Sequence, residues 1–215
     1  MYFFKLKKKL KHIAIAGNIG VGKTSLAKIL SKHYNWKLEL ESVDTNPYLS
    51  DFYNDMKKWS FHLQIFFLNS RFEQSHRIGK SRKTVIQDRT IYEDKVIFTE
   101  NLFKSGFLKK REFDNYLKLF NSIINYTPAP DLIIYLRNNN IGKLVNNIES
   151  RDRDFEKSIQ IKYLKNLNNS YEKWIDNYKL SRLLIIDATK LDFIKNIRDL
   201  ESIINKIDVE INGLF

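Results

Sequence analysis

The sequence predicts an α/β fold: a five-stranded parallel sheet covered by helices on both faces. Three observations carry this. Five short runs rich in β-branched and other large apolar residues recur along the 215-residue chain, long stretches of helical spacing separate them, and a glycine-rich turn follows the first run. Strands that alternate with helices cannot pair as hairpins, so they are expected to lie parallel, with the crossover helices packed on both sides.

The first run is His12–Ala16, followed by the turn and then by Thr24–His33, where Leu26, Ile29 and Leu30 recur at helical spacing. Trp36–Glu41 is the second run and Thr84–Asp88 the third. Between them, Trp59–Phe72 reads as an aromatic helix in which Phe61, Ile65 and Phe72 are expected in the core. The breakers Thr127–Pro130 stop a helix before the fourth run, Asp131–Leu136, because the residue before a proline avoids the helical region. Arg182–Asp187 is the fifth. No repeat, linker or composition break marks a second unit, so residues 1–215 are expected to form a single domain, with a basic lead-in at 1–11.

Apolar residues at 43% and charged residues at 29% place the chain among globular proteins. The net charge of +12 invites a nucleic-acid or membrane reading. Yet Lys, Asn and Ile are frequent throughout while Gly, Pro and Cys are scarce, a compositional drift that needs no built site, and Lys5–Lys11 reads as a solvated lead-in. We therefore expect neither nucleic acid nor membrane as partner. The absence of cysteine rules out disulfides, thiolate catalysis and Cys-ligated zinc, and it suits a reducing compartment, taken as the cytoplasm. The four histidines show no metal-ligand spacing.

Gly17-Asn18-Ile19-Gly20-Val21-Gly22-Lys23-Thr24 satisfies G-x-x-x-x-G-K-[ST] between a strand and a helix. Glycines let the backbone wrap with its N–H groups inward, at the positive end of the helix that follows. Gly17, Asn18, Gly20, Val21 and Gly22 would cradle phosphates together with Ser25; Lys23 would reach the β and γ phosphates, and Thr24 would offer its hydroxyl to Mg²⁺. The motif points to a nucleoside triphosphate without naming an acceptor. Glu41 after the second run and Asp88-Arg89-Thr90 after the third stand where ligands sit in open α/β sheets. Alone, either would be an ordinary solvated turn. Beside a phosphate loop they become site candidates.

In order, GNIGVGKT, ESVDTNPYL, WSFHLQIFFLNSRF, DRTIYED and RDRDFE resemble the deoxynucleoside kinase family, in particular its bacterial branch, from about Ile13 to Phe193. The resemblance implies a P-loop kinase fold, ATP with Mg²⁺ as phosphate donor, a deoxynucleoside acceptor and a homodimer. It implies Glu41 as general base, although Ser42 stands where the family has proline; Arg89 as contact to the 5′-hydroxyl and transferred phosphate, with Lys23; and Asp88 on the Mg²⁺ side. It also implies Tyr53 and Glu156 at the 3′-hydroxyl, Gln64, Arg71 and Asp94 at the base, and Phe98 packed against it. Arg151 and Arg153 match a lid near 149–157, and Asp192-Phe193 a loop at the adenine of ATP. The spacing agrees in part: Gln64 and Arg71 lie seven apart and share a helix face with Phe67 and Leu68, while Asp94 and Phe98 lie four apart. Arg71 and Asp94 suit a base with an exocyclic amine, so thymidine is expected to be poorest; the resemblance to the bacterial branch implies deoxyadenosine first, with deoxyguanosine or deoxycytidine next. Two rivals share parts of the pattern. A thymidylate-type monophosphate kinase would need an arginine beside Glu41, whose neighbours are Leu40 and Ser42; a nucleic-acid-binding ATPase would need a basic stripe.

Overall fold

The structure, a computed structural model, describes residues 10–151, 153, 156 and 158–213. Most of the basic lead-in, residues 1–9, lies outside the described residues, as do 152, 154, 155 and 157 of the expected lid.

Five parallel strands run in the order β2-β3-β1-β4-β5. They are β1 (His12–Gly17), β2 (Lys37–Glu39), β3 (Val85–Asp88), β4 (Leu132–Arg137) and β5 (Arg182–Asp187). The helices are α1 (Lys23–His33), α2 (Leu49–Asn54), α3 (Met56–Gly79), α4 (Ile91–Glu93), α5 (Glu100–Lys104), α6 (Lys110–Ile123), α7 (Ile141–Glu149), α8 (Ile161–Asp176) and α9 (Ile197–Asn212). A π-helical stretch, Asp94–Thr99, joins α4 to α5.

Strand parity divides the core. Ile13 and Ile15 of β1, with Leu132, Ile134 and Leu136 of β4, face Leu26 and Leu30 of α1 and Ile203 and Ile207 of α9. The alternate residues Ala14, Ala16, Ile133 and Tyr135 face Leu63 of α3 and Tyr163, Leu167 and Tyr171 of α8. Because successive side chains leave opposite faces, these apolar runs are buried twice, as a covered parallel sheet requires. Among the described residues, no helix is long and apolar enough to cross a membrane.

Three expectations need correction. The second strand is Lys37–Glu39 rather than Trp36–Glu41. The Trp36 amide bonds to Ser31 O in the turn after α1, and the Leu40 carbonyl is taken by the Gln74 side chain instead of a strand partner. The aromatic helix extends well beyond Trp59–Phe72 at both ends, and Asp55 caps it by accepting from Lys58 N at 3.0 Å. Phe61, Ile65 and Phe72 are half-buried, with Leu63 and Leu68 taking the core positions on α3.

Candidate active site

Register brings the site residues level with one another. Glu39 pairs with Gln87 and Ile15 with Asp88, so Glu41, Asp88, Arg89 and the phosphate loop emerge together beyond the carboxyl ends of β2, β3 and β1. One cleft there is lined by Lys23, Thr24, Glu41, Tyr53, Gln64, Asp88, Arg89, Asp94, Phe98, Arg151, Arg153 and Glu156.

The loop depends on its glycines. Gly20 has φ +83°, and a Cβ there would come within 2.5 Å of Leu144 O; Gly22 has φ +98°, and a Cβ there would meet the Phe193 ring at 2.8 Å. Asn18 pins the loop from outside, its Nδ2 donating to Leu164 O at 3.0 Å and to Asn168 Oδ1 at 3.2 Å on α8. Lys23 is buried and donates to Asn18 O at 3.0 Å. Burial, reinforced by the charge of Arg89 and opposed by Asp88, Glu41 and Glu93, lowers its amine to about 7. Ser25 follows in the first turn of α1, half-buried. Thr24 Oγ1 donates to Asp88 Oδ2 at 2.5 Å, while Asp88 Oδ1 is buried without a hydrogen-bond partner. A hydroxyl and an orphaned carboxylate oxygen beside the loop are hard oxygen donors of the kind Mg²⁺ takes.

Arg89 has φ +69°, a left-handed conformation uncommon outside glycine. Its Nε stands 3.3 Å from Glu41 Oε1, its guanidinium lies 4.4 Å from the centre of the Phe98 ring, and its charged form is strengthened by neighbouring Tyr171, Glu41, Glu93 and Asp88 against the cost of burial. Glu41 also accepts from Arg71 Nη2 at 2.8 Å. Burial would raise its carboxyl, but Arg89, Arg71, Lys23 and Arg153 outweigh that and hold it below the ordinary carboxylate range. Glu41 is thus ionised near neutrality, with one oxygen committed to arginines.

Of the expected base-reading residues, Gln64 and Asp94 line the cleft with Phe67 and Phe98. Arg71 does not; it lies behind that wall, 1% exposed, bridging Glu41 and Asp94 and donating to Gln74 Oε1 and Asp88 O. The Thr99 hydroxyl sits 2.8 Å from both Gln64 Oε1 and Asp94 O, supporting the π turn and leaving the Gln64 amide nitrogen for the cleft. Asp94 Oδ2 has no hydrogen-bond partner, with Arg71 Nε 3.5 Å away. Burial lifts the Asp94 carboxyl to about 7, against the pull of Arg71. Glu156 is likewise buried with Oε2 unbonded, while Arg153 approaches Oε1 at 3.3 Å and Arg151 at 3.9 Å. Tyr53 lines the same end of the cleft, its phenol kept neutral by burial.

A second cleft on the other side of the loop is lined by Val21, Gly22, Lys143, Asn147, Asp192 and Phe193 among others. Phe193 is buried against Gly22, and Lys143 Nζ donates to Leu191 O at 2.6 Å, fixing the loop that carries it.

Several buried polar residues escape a reading of the sequence. Gln74 Oε1 accepts from Arg71 and from Gln87 Nε2, and the other end of Gln87 lies 2.9 Å from His12 Nε2, so a polar chain crosses under β3. Tyr171 and Glu93 bond to each other and to Arg89 or its turn. Their spacing is that of ordinary helix and cap residues, and only tertiary packing reveals them.

Residues 13–212 match the family model described as Deoxynucleoside kinase. A deoxyadenosine/deoxycytidine kinase of Bacillus subtilis is 36% identical over 197 residues, covering 91% of this chain and 90% of that enzyme. A deoxyadenosine kinase of Dictyostelium discoideum is 46% identical over 173 residues, 80% of this chain and 70% of its own length. The solved structure of deoxyadenosine kinase from M. mycoides with bound dATP superposes with TM-score 0.80 at 28% identity, covering 92% of this chain and 99% of that one.

Proposed function

This chain belongs to the deoxynucleoside kinase family and transfers phosphate from ATP to a deoxynucleoside; from that premise we propose that the cleft takes deoxyadenosine first, with Glu41 as general base. The observation that carries the reading is the placement of Glu41 and Arg89 between the phosphate loop on one side and Gln64, Asp94 and Phe98 on the other. An acceptor with its base between Phe98 and Gln64 and its 3′-hydroxyl at Tyr53 and Glu156 would present its 5′-hydroxyl to Glu41.

Glu41 accepts the proton as the 5′-oxygen attacks, and its two arginine neighbours hold the carboxylate in place. A base with a lowered pKa abstracts weakly, but phosphoryl transfer through a loose transition state asks mainly for positioning and charge stabilisation. Arg89, Lys23 and the lid arginines Arg151 and Arg153 supply that charge. Mg²⁺ held at Thr24 and Asp88 would neutralise the β and γ phosphates. Gly17, Asn18, Gly20, Val21, Gly22 and Ser25 bind the phosphates, and Asp192 and Phe193 border the adenine of ATP.

Asp94 Oδ2, buried and without a hydrogen bond, fits an exocyclic amine. Arg71 contributes through Asp94 and Glu41, on which it pulls, rather than from the cleft wall. Thymine places a carbonyl where adenine and cytosine place an amine, and an ionised Asp94 would repel it. Deoxyguanosine and deoxycytidine rank between. The enzyme is read as a cytoplasmic homodimer: the cysteine-free sequence supports the compartment, and the family resemblance implies the dimer. A phosphorylation panel over the four deoxynucleosides, with and without Mg²⁺, tests the assignment. Thymidine as best substrate would refute the role of Asp94, and full rates in EDTA would refute the metal site.

A further inference from the structure

Two buried residues outside the cleft lining close a ring around Arg89. Arg89 Nη1 donates to Tyr171 Oη at 2.9 Å, and Tyr171 Oη donates to Glu93 Oε1 at 2.9 Å. The other carboxylate oxygen, Glu93 Oε2, accepts from Thr90 N at 2.8 Å and stands 3.2 Å from Thr90 Oγ1. Thr90 is the next residue after Arg89, so one carboxylate holds both the guanidinium, through the phenol, and the backbone turn that carries it. Tyr171 and Glu93 are each 0% exposed and neither lines the cleft.

We infer that Tyr171 and Glu93 are a positioning pair that fixes the direction in which the Arg89 guanidinium points at the reacting groups, and that turnover depends on them. The inference rests on the assignment of Arg89 to those groups made above.

Direction is what the pair adds. Glu41 and Asp88 already place negative charge beside Arg89, whereas burial holds the Tyr171 phenol protonated, so that at neutral pH it contributes an acceptor at one defined point. The ring has a single consistent polarity: Arg89 can only donate, Glu93 as a carboxylate only accepts, and the hydroxyl must do one of each. A planar fork turned by a few tens of degrees would no longer aim its remaining N–H groups at the transferred phosphate. The left-handed φ of Arg89 makes such anchoring necessary, because that conformation persists only where its surroundings impose it. Tyr171 reaches the site from α8, which also holds Asn18 of the phosphate loop through Leu164 O and Asn168. One helix thus sets both the loop and the arginine.

A neighbouring tyrosine separates positioning from packing. Tyr135 stacks on Tyr171 at 5.8 Å, but its hydroxyl goes to Glu172, which pairs with Arg137 away from Arg89. Removing that hydroxyl disturbs the same aromatic stack and leaves the ring intact.

The test compares kcat and KM for deoxyadenosine in four variants whose melting is checked. Tyr171→Phe leaves two buried charged groups short of a partner and should lower kcat by about 10- to 100-fold, with KM for deoxyadenosine changing by less than about threefold. Tyr135→Phe should keep the parental kcat. Arg89→Lys should lose more than Tyr171→Phe, and adding Tyr171→Phe to it should cost nothing further, since the fork being aimed is gone. If Tyr171→Phe does not fold, Glu93→Gln carries the same prediction: its amide cannot accept from the phenol and from Thr90 at once. Parental kcat in Tyr171→Phe alongside an impaired Arg89→Lys overturns the pair alone. A parental Arg89→Lys enzyme overturns the role of Arg89 and the pair with it. Equal losses in Tyr135→Phe and Tyr171→Phe, or an effect confined to KM, would assign the hydroxyl to packing.

Discussion

Replacing Glu41 with Gln isolates the base from the scaffold around it. One Glu41 oxygen accepts from Arg71 Nη2 at 2.8 Å and faces Arg89 Nε at 3.3 Å. The amide of Gln can keep its carbonyl oxygen there and turn its nitrogen to the position of the second oxygen. Ground-state geometry is therefore retained. What disappears is the proton acceptor and one negative charge among Arg89, Arg71 and Lys23. Loss of a positioned base costs about 10²–10⁴-fold in turnover, or about 3–5 kcal/mol of transition-state stabilisation. The fold should lose less. Breaking a fully buried ion pair costs about 3–5 kcal/mol, but Glu41 is 19% exposed and Arg71 keeps Asp94, Gln74 and the Asp88 carbonyl. A loss of about 1–2 kcal/mol is expected after that discount for solvent screening. The assay is steady-state conversion of deoxyadenosine at saturating ATP, read by product chromatography, with urea unfolding as control. In the parent, the arginines hold the Glu41 carboxyl below its ordinary range, so the base stays ionised as pH falls through that range, and the acid limb of kcat should lie below the ordinary carboxylate range wherever the fold survives. Turnover in Glu41→Gln within about threefold of the parent would remove Glu41 from the mechanism.

Four further outcomes follow from the buried charges. Lys23, lowered to about 7 chiefly by burial, is partly neutral at pH 7.5, and a triphosphate beside it restores the proton; ATP binding should take up a fraction of a proton, seen by calorimetry in buffers of different ionisation heat, and absent in Lys23→Ala. Asp94, lifted to about 7, becomes a stronger, charged acceptor for the adenine amine when it ionises, so affinity for deoxyadenosine should rise between pH 6 and 8, as should discrimination against thymidine, because a protonated carboxyl can donate to its carbonyl. A flat ratio across that range contradicts the reading. The same shift has a stability consequence of opposite sign: an Asp whose folded pKa lies above its unfolded value of 3.8 stabilises the fold at low pH and loses that contribution as pH rises through about 7. Removing the 3′-hydroxyl from the substrate leaves the buried Glu156 Oε2 unpaired, at about 1–3 kcal/mol, so kcat/KM for a 2′,3′-dideoxynucleoside should fall by about 5- to 150-fold; Glu156→Ala should erase most of that preference.

The strands and the phosphate loop were legible because local chemistry alone dictates them. Ile13 and Ile15 alternate with Ala14 and Ala16 because the sheet is covered on both faces, and the glycine turn of the loop is a backbone requirement visible in any single sequence. The end of β2 was not legible: a side chain 34 residues away, Gln74, takes the Leu40 carbonyl. Helical spacing put Arg71 on the face of Gln64 and Phe67, and it is there, but spacing carries no depth, and two carboxylates draw its guanidinium behind the wall. The lid arginines came from the family resemblance, since a dense charge run by itself reads as a solvated helix end, and the structure sets Arg151 and Arg153 around Glu156 at the cleft. Glu93 reads locally only as the acid of the Thr90 helix cap, and Tyr171 left no local trace. Their role exists only because the parallel crossover brings α8 against the turn after β3.

In the proposed reaction the cleft presents a nucleoside 5′-hydroxyl, and not a nucleotide phosphate, to Glu41 and Arg89. The most direct measurement offers γ-labelled ATP to the enzyme with deoxyadenosine and, separately, with dAMP, and follows the label. Rapid label transfer to deoxyadenosine is expected, yielding labelled dAMP and ADP, with little or no label passed to dAMP when it is offered as acceptor. Faster transfer to dAMP than to deoxyadenosine would contradict it.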